Sequence, residues 1–373
     1  MMRYPFYSPF CRAGLVLALI CSFGVGHSEE SSVIRSKTEA LFKRQDKDGD
    51  GKLSEEEFPS QLKRMFPQID ADGDGFLTVE EDIAFRSRRM GGGGNKPRRG
   101  NAEMDGVTVH RDLEYVEGGH ERHKLDLYLP ESGEVLPLVI WIHGGGWKNG
   151  DKGGGQYRGL VAEGFAVASI NYRLSGHAVF PAQINDCKAA IRWLRKNADE
   201  YGIDPDRFGV WGSSAGGHLS ALVGTSGDVE SLEGDLGVTG VSSRVQAVCD
   251  WYGPTDLLKM NEQRNVEGSM DHDRPDSPES LLIGGNLQDN PELAKPVNPI
   301  EYISKDDPPF LIVHGDRDPA VPIGQSYLLC DALQEAGVPV EMVVVEGAGH
   351  GRFPQEYQQQ AVEYFQEVLG KKE

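Results

Sequence analysis

Six runs of the chain, 137–142, 165–170, 207–211, 245–250, 309–314 and 340–345, are apolar at most positions. A strand that is apolar on both faces must be covered on both, as a central strand of a parallel sheet is. Helical patterns fall between these runs, notably Pro181 to Glu200 and Ser214 to Val223. Alternating strand and helix predicts an α/β fold, a mostly parallel sheet with helices on both faces. Such sheets carry functional residues at the carboxyl ends of their strands. Two further strands are expected at Val107 to Val109 and His123 to Leu129. In the second, Leu125, Leu127 and Leu129 alternate with Asp126 and Tyr128, the pattern of an edge pair.

Within this pattern, Gly212-Ser213-Ser214-Ala215-Gly216 sits between the run 207–211 and a helical segment starting at Gly217. G-x-S-x-G in a strand–turn–helix context is the signature of a nucleophile elbow, in which glycines flank the serine because Cβ atoms would clash there. Ser214 is preferred to Ser213 because only Ser214 has glycine at both two-residue offsets. Upstream, His143-Gly144-Gly145-Gly146-Trp147 follows the run 137–142 and exposes backbone N–H groups able to bind an oxyanion. Gly145, Gly146 and Ala215 are the expected donors. Downstream, the run 309–314 ends in Gly315-Asp316-Arg317-Asp318, and 340–345 runs into Glu346-Gly347-Ala348-Gly349-His350. These loops offer a carboxylate and a histidine in the order Ser214, Asp318, His350, one of three common serine hydrolase orders. His314 and His218 are expected to be packed, and His143 to brace the glycine loop. Trp147, Tyr252 and the polar segment 257–306 are expected along the substrate wall. Asp271-His272-Asp273, inside that segment, reads as solvated loop rather than metal site.

From about Val107 to the C-terminus the chain resembles the α/β-hydrolase superfamily, and within it esterases related to bifunctional feruloyl and acetyl xylan esterases, near the hormone-sensitive-lipase type. The resemblance rests on His143 to Trp147, Gly150-Asp151-Lys152, Asn171-Tyr172-Arg173-Leu174, Asp204-Pro205-Asp206-Arg207, Gly212 to Gly217 and His314 to Pro322. It implies ester hydrolysis through a Ser-His-Asp triad, with no cofactor for catalysis. The family string H-G-x-x-D selects Asp318 over Asp316 as the acid. Acetyl or feruloyl esters linked to polysaccharide are the implied substrates; small esters and formamides are the alternative. A calcium-dependent docking protein on an inactive scaffold would lack a triad member, and all three are present.

The N-terminal third holds a different signature. Asp46-Lys47-Asp48-Gly49-Asp50-Gly51-Lys52-Leu53-Ser54-Glu55-Glu56-Glu57 fits the twelve-residue EF-hand loop. Asp46, Asp48 and Asp50 offer side-chain oxygens, Lys52 a carbonyl, Ser54 the ninth position and Glu57 a bidentate carboxylate. Asp70, Asp72, Asp74, Phe76, Thr78 and Glu81 take the same roles in a second copy starting 24 residues later. Leu53 and Leu77, at the eighth positions, are expected to pair the loops through a short two-stranded contact. Structural Ca²⁺ is the expected ion. With Pro59 and Pro67 between the loops, the pair is compressed, which argues against an opening sensor.

The expected organisation is a signal peptide over 1–28, an EF-hand pair over 29–89, a glycine-rich basic linker over 90–104 and a catalytic domain over 105–373. The apolar stretch Ala13 to Ile20 is shorter than the roughly 20 residues a membrane span needs, so export to the periplasm or beyond is expected, with no stable span after cleavage. Cys21 offers a lipoprotein site, but Ile20 before it is bulky for that processing. The net charge of −20 excludes nucleic acid as a partner. Much of it is local: residues 46–57 carry −4 and residues 70–81 carry −5. Cys187, Cys249 and Cys330 remain after signal removal and are expected as packed thiols.

Overall fold

The computed structural model describes residues 38–39, 41–54, 56–58, 66–70, 74–90, 105–351 and 353–370. The expected signal peptide, residues 91–104 of the expected linker, and Asp72 lie outside the described residues. The chain divides between residues 98 and 99 into two compact units.

In the N-terminal unit, strand β1 (Leu53–Ser54) pairs antiparallel with β2 (Phe76–Leu77), Leu53 facing Leu77. Both leucines are fully buried, in a small core with Phe42, Phe58, Phe66 and Ile69. The helix Val79–Met90 starts from a reciprocal cap. Glu81 N–H donates to Thr78 Oγ1 at 3.2 Å, and Thr78 N–H donates to Glu81 Oε2 at 2.9 Å. The first acidic loop is closed by its own carboxylates. Asp46 accepts from the N–H groups of Gly49 and Gly51 at 2.7 and 2.9 Å, and Gly49 and Gly51 adopt φ of 76° and 83°.

The C-terminal unit is built on eight strands: β3 (Val107–Glu114), β4 (Lys124–Pro130), β5 (Leu136–Ile142), β6 (Ala166–Ile170), β7 (Ile203–Ser213), β8 (Ala247–Trp251), β9 (Phe310–Gly315) and β10 (Val340–Val345). They are ordered β10-β9-β8-β7-β5-β6-β4-β3. Pairing is parallel from β10 to β6, and β4 runs antiparallel to both β6 and β3. Successive side chains of β5 enter opposite cores: Leu138, Ile140 and Ile142 one, Val139 and Trp141 the other. This is why the central runs are apolar throughout.

β3 and β4 form the expected edge pair, at the end of the sheet and antiparallel. Asp126 and Tyr128 do not form a solvated face; both are buried. Asp126 can be buried because Lys152 Nζ and Arg111 Nη1 pair with its two oxygens and Asp112 N–H donates to it. Cys187, Cys249 and Cys330 are buried free thiols.

Candidate active site

β7 ends in a turn that puts Ser214 at φ 56°, ψ −125°, a conformation a residue with a Cβ adopts only under strain. Its surroundings leave no alternative. Ser214 N–H donates to Trp251 O at 2.8 Å. A Cβ on Gly212 would lie 2.1 Å from Gly216 O, and one on Gly216 would lie 2.1 Å from Ile142 O. A Cβ on Gly217 would meet Asp250 Oδ1 at 2.2 Å. The helix Ala215–Thr225, buried along its whole length, follows directly and fixes the turn.

The loops after β9 and β10 reach the same point. His350 Nε2 lies 3.1 Å from Ser214 Oγ, and His350 Nδ1 lies 2.7 Å from Asp318 Oδ2. Asp318 Oδ1 accepts from the N–H groups of Ala320 and Val321 at 2.8 and 2.9 Å. Burial alone would raise the Asp318 carboxyl. Hydrogen bonds from His314, His350 and Val321 N–H outweigh it and hold the group far below the usual carboxylate range. Asp318 thus remains an anion and His350 Nδ1 carries the proton, leaving Nε2 as an acceptor toward Ser214. Asp316 is not part of this chain: its Oδ1 accepts from Gly347 N–H at 2.6 Å.

The glycine loop after β5 faces the elbow. Gly145 and Gly146 have φ of 115° and 58°. A Cβ on Gly145 would fall 2.4 Å from Asn149 O, and one on Gly144 2.6 Å from Ser213 O. The loop is braced from behind by His143, which stacks on Tyr172 at 4.4 Å and hydrogen-bonds Gly144 O at 2.8 Å through Nδ1. Burial pushes His143 down to about 4, so the ring is neutral and Nε2 accepts from Arg122 Nη2 at 3.1 Å. Arg122 also donates to Tyr172 O and Gly150 O, a brace with no local sequence signal. His218 is packed below the elbow between Trp147 Nε1 and Val297 O, and burial holds it down to about 4. His314 is fully buried, with Nδ1 on Ser326 Oγ and Nε2 on Val321 O.

Ser214, His350, Gly145, Gly146 and Ala215 line one cavity of about 470 Å³. Trp147, Tyr252 and Met270 complete much of its apolar wall. Tyr252 packs against the His350 ring at 4.8 Å, and burial pushes its phenol up to about 12. A larger depression of about 1020 Å³ lies elsewhere, where β5, β8 and β9 begin, lined by residues such as Val135, Gln246 and Pro309. It contains none of these groups and sits at the wrong ends of the strands for chemistry. The Asp271-His272-Asp273 segment differs from a solvated loop at its centre. His272 is buried against Glu279, with Nδ1 3.0 Å from Oε1, while Asp271 and Asp273 bond Asn261 and Gln288. Glu279 is a cavity-lining residue that local sequence reasoning does not find, because its burial comes from a partner seven positions away.

In the N-terminal unit, carboxylate oxygens of Asp46, Asp48 and Asp50 lie within 4.8 Å of one another. Glu57 folds back onto the loop, accepting from Lys47 N–H at 2.8 Å and from Ser54 N–H at 3.0 Å. These bonds, the Ser54 N–H first, lower its carboxyl to about 2. In the second loop Asp70 accepts from Gly75 N–H, and Asp74 pairs with Lys52 Nζ at 3.1 Å. An all-oxygen donor set of this charge fits a hard divalent cation.

Residues 125–333 match the family described as BD-FAE, and residues 38–59 and 62–81 match EF hand. The chain is 35% identical to Esterase LipQ of Mycobacterium tuberculosis over 232 residues, covering 61% of this chain and 53% of LipQ. It spans about half the length of the curated relatives it matches. Among solved structures, a truncated carbohydrate esterase from gut microbiota superposes with a TM-score of 0.67 at 35% identity, over 72% of this chain and 99% of the other. An acetyl ester-xyloside bifunctional hydrolase from Caldicellulosiruptor lactoaceticus gives a TM-score of 0.57 at 27% identity, over 66% and 88%.

Proposed function

The chain belongs to the BD-FAE family, and from that premise we propose that it is an exported serine carboxylic-ester hydrolase acting on acetyl or feruloyl esters of polysaccharide. The observation that carries the activity is the hydrogen-bonded line Ser214–His350–Asp318, at 3.1 and 2.7 Å, beside a glycine loop in one cavity. The choice of carbohydrate esters is supported by the names of the similar solved structures. Export is supported by the N-terminal charge and apolar pattern. Among the described residues no helix is long and apolar enough to cross a membrane.

The chemistry follows from the positions of the atoms. Ser214 Oγ attacks the ester carbonyl while His350 Nε2 accepts its proton. Asp318 holds the proton on Nδ1 and stabilises the imidazolium that forms. The N–H groups of Gly145, Gly146 and Ala215 take the developing oxyanion, each donor contributing about 3 kcal/mol. His350 then gives the proton to the departing alcohol oxygen, leaving an acyl-enzyme on Ser214. Water attacks the acyl carbon, again losing its proton to His350, and Ser214 is regenerated.

In the N-terminal unit Asp46, Asp48, Asp50 and Glu57, with the Lys52 carbonyl, would hold one Ca²⁺, and Asp70, Asp72, Asp74, Glu81 and the Phe76 carbonyl a second. The ion would stabilise the loops and takes no part in the acyl transfer.

Reaction with a fluorophosphonate probe tests the nucleophile: labelling is expected in the parent and absent in Ser214→Ala. Release of acetate or ferulate from acetylated, feruloylated xylan tests the substrate. Cleavage of an aryl acetate without release from xylan would redirect the assignment to small esters or formamides. No labelling of the parent would overturn the esterase reading itself.

A further inference from the structure

Tyr252 follows the last residue of β8 and has φ 44°, a positive value that a residue with a Cβ adopts only under strain. Three hydrogen bonds impose it. Trp251 O accepts from Ser214 N–H at 2.8 Å, Tyr252 N–H donates to Val313 O of β9 at 2.8 Å, and Gly253 N–H donates to Asp250 Oδ1 at 2.9 Å. Glycine follows because a Cβ there would lie 2.5 Å from both Asp250 Oδ1 and His218 N. The turn breaks the alternation of the strand. Ala247, Cys249 and Trp251 enter one core and Val248 the other, so a regular strand would send Tyr252 after Val248. Tyr252 instead joins Trp251 on the same side of the sheet. There its ring packs against His350 at 4.8 Å and Phe353 at 5.1 Å, and Phe353 packs against Trp251 at 5.2 Å. His350 needs such a backing. It stands between Gly349 and Gly351, the latter at φ 120°, with its side chain 27% exposed. Its two hydrogen bonds, to Asp318 and Ser214, fix the ring along one line and leave it free to tilt about that line. Among the described residues, Tyr252 supplies the one aromatic ring packed on it.

We propose that Tyr252 is a positioning residue, whose strained backbone throws its ring across the end of the sheet to hold the His350 imidazole on the Asp318–Ser214 line. Strain of this kind persists where the surrounding structure over-determines it, and it gathers at sites that use it. The phenol stays protonated through neutral pH, because burial raises it to about 12, so Tyr252 brings no charge to the triad and works by its ring. The proposal rests on reading Ser214, His350 and Asp318 as an esterase triad, and it adds the residue that keeps the base in line.

The test compares Tyr252→Leu, which keeps apolar bulk without a flat ring, with Tyr252→Phe, which keeps the ring, in the full chain on 4-nitrophenyl acetate. Tyr252→Leu is expected to lose about ten- to hundredfold in kcat, the scale for misplacing a catalytic group by about 1 Å, with KM changed by less than about threefold. Tyr252→Phe is expected to recover most of that loss. Proton NMR reads the positioning itself. The His350 Nδ1 proton, bonded to a carboxylate, resonates far downfield; the signal should persist in the parent and in Tyr252→Phe and broaden by exchange with water in Tyr252→Leu. Should Tyr252→Leu not fold, Tyr252→Met is read in the same way. A folded Tyr252→Leu enzyme with the parent's kcat overturns the proposal. So does one that loses kcat but keeps the Nδ1 signal, one whose loss is confined to KM, or a Tyr252→Phe enzyme that falls as far as Tyr252→Leu. Absence of phosphonate labelling at Ser214 in the parent overturns the esterase reading and the proposal with it. With the parent labelled, those results overturn the proposal alone.

Discussion

Exchange of Asp318 for Asn tests the proposed proton relay at its most constrained point. Asp318 Oδ1 is fixed as an acceptor by two backbone donors, Ala320 N–H at 2.8 Å and Val321 N–H at 2.9 Å. In Asp318→Asn the amide oxygen must stay on those donors, so the NH₂ group takes the place of Oδ2 and points at His350 Nδ1. His350 can meet a donor there only by moving its proton to Nε2. Nε2–H then faces Ser214 Oγ across 3.1 Å and cannot accept a proton. The base is removed rather than weakened. General-base catalysis contributes about 10²–10⁴-fold, and the same exchange in a triad on an unrelated fold lowers kcat about 10⁴-fold. A fall of about 10³–10⁴ is therefore expected here, equivalent to roughly 4–5.5 kcal/mol of barrier. Asn keeps both backbone donors but gives up the anion that the fold stabilises, so Tm should fall as well. The assay is kcat on 4-nitrophenyl acetate, with Tm measured alongside. An Asp318→Asn enzyme that is folded at the assay temperature and keeps more than about a tenth of the parent kcat would refute the tautomer argument.

Three other outcomes follow from the same physics. Chelation with EDTA should lower the stability of the N-terminal unit and leave turnover of small esters nearly unchanged, because the acidic loops proposed to hold Ca²⁺ and the serine belong to different units; a large loss of turnover would contradict this. His143 and His218 have folded values of about 4 against roughly 6.5 unfolded, so the unfolded chain binds more protons between those values. Stability present above pH ~6.5 should be lost as pH falls toward 4, by up to about 3 kcal/mol for each ring, and a flat Tm from pH 7 to 4.5 would contradict the burial argument. Asp250 runs the other way: burial raises it to about 7, so its contribution is fully present below pH ~3.8 and is lost as pH rises through 7. Asp250→Asn should therefore gain Tm on the parent between pH 5 and pH 9, and an unchanged gap would rule this out.

Much of the architecture is legible locally. The run 137–142 lies within β5, which is buried on both faces and so leaves a continuous apolar record, whereas 340–345 matches β10, a half-buried edge strand that exposes Glu341. The pairing of Leu53 with Leu77 was readable from loop spacing alone. Asp126 was not. Alternation does not say what covers a side chain, and only the fold brings Lys152, 26 residues away, to neutralise it. His272 failed for the same reason: a polar, proline-rich neighbourhood hides a buried pair that a cap helix closes.

By itself the sequence determined the α/β order of strands and helices, the two acidic loops, and the identity of Ser214, Asp318 and His350 as candidates. Those are matters of spacing, backbone conformation and side-chain chemistry, and they are written within a few residues. The tertiary structure alone decided what depends on long-range approach. It set the 2.7 and 3.1 Å contacts among three loops, the loss of proton affinity at His143 and His218, and the buried Glu279 on the cavity wall. Burial and hydrogen-bond partners come from residues tens to more than a hundred positions apart, and only the closed sheet brings them together.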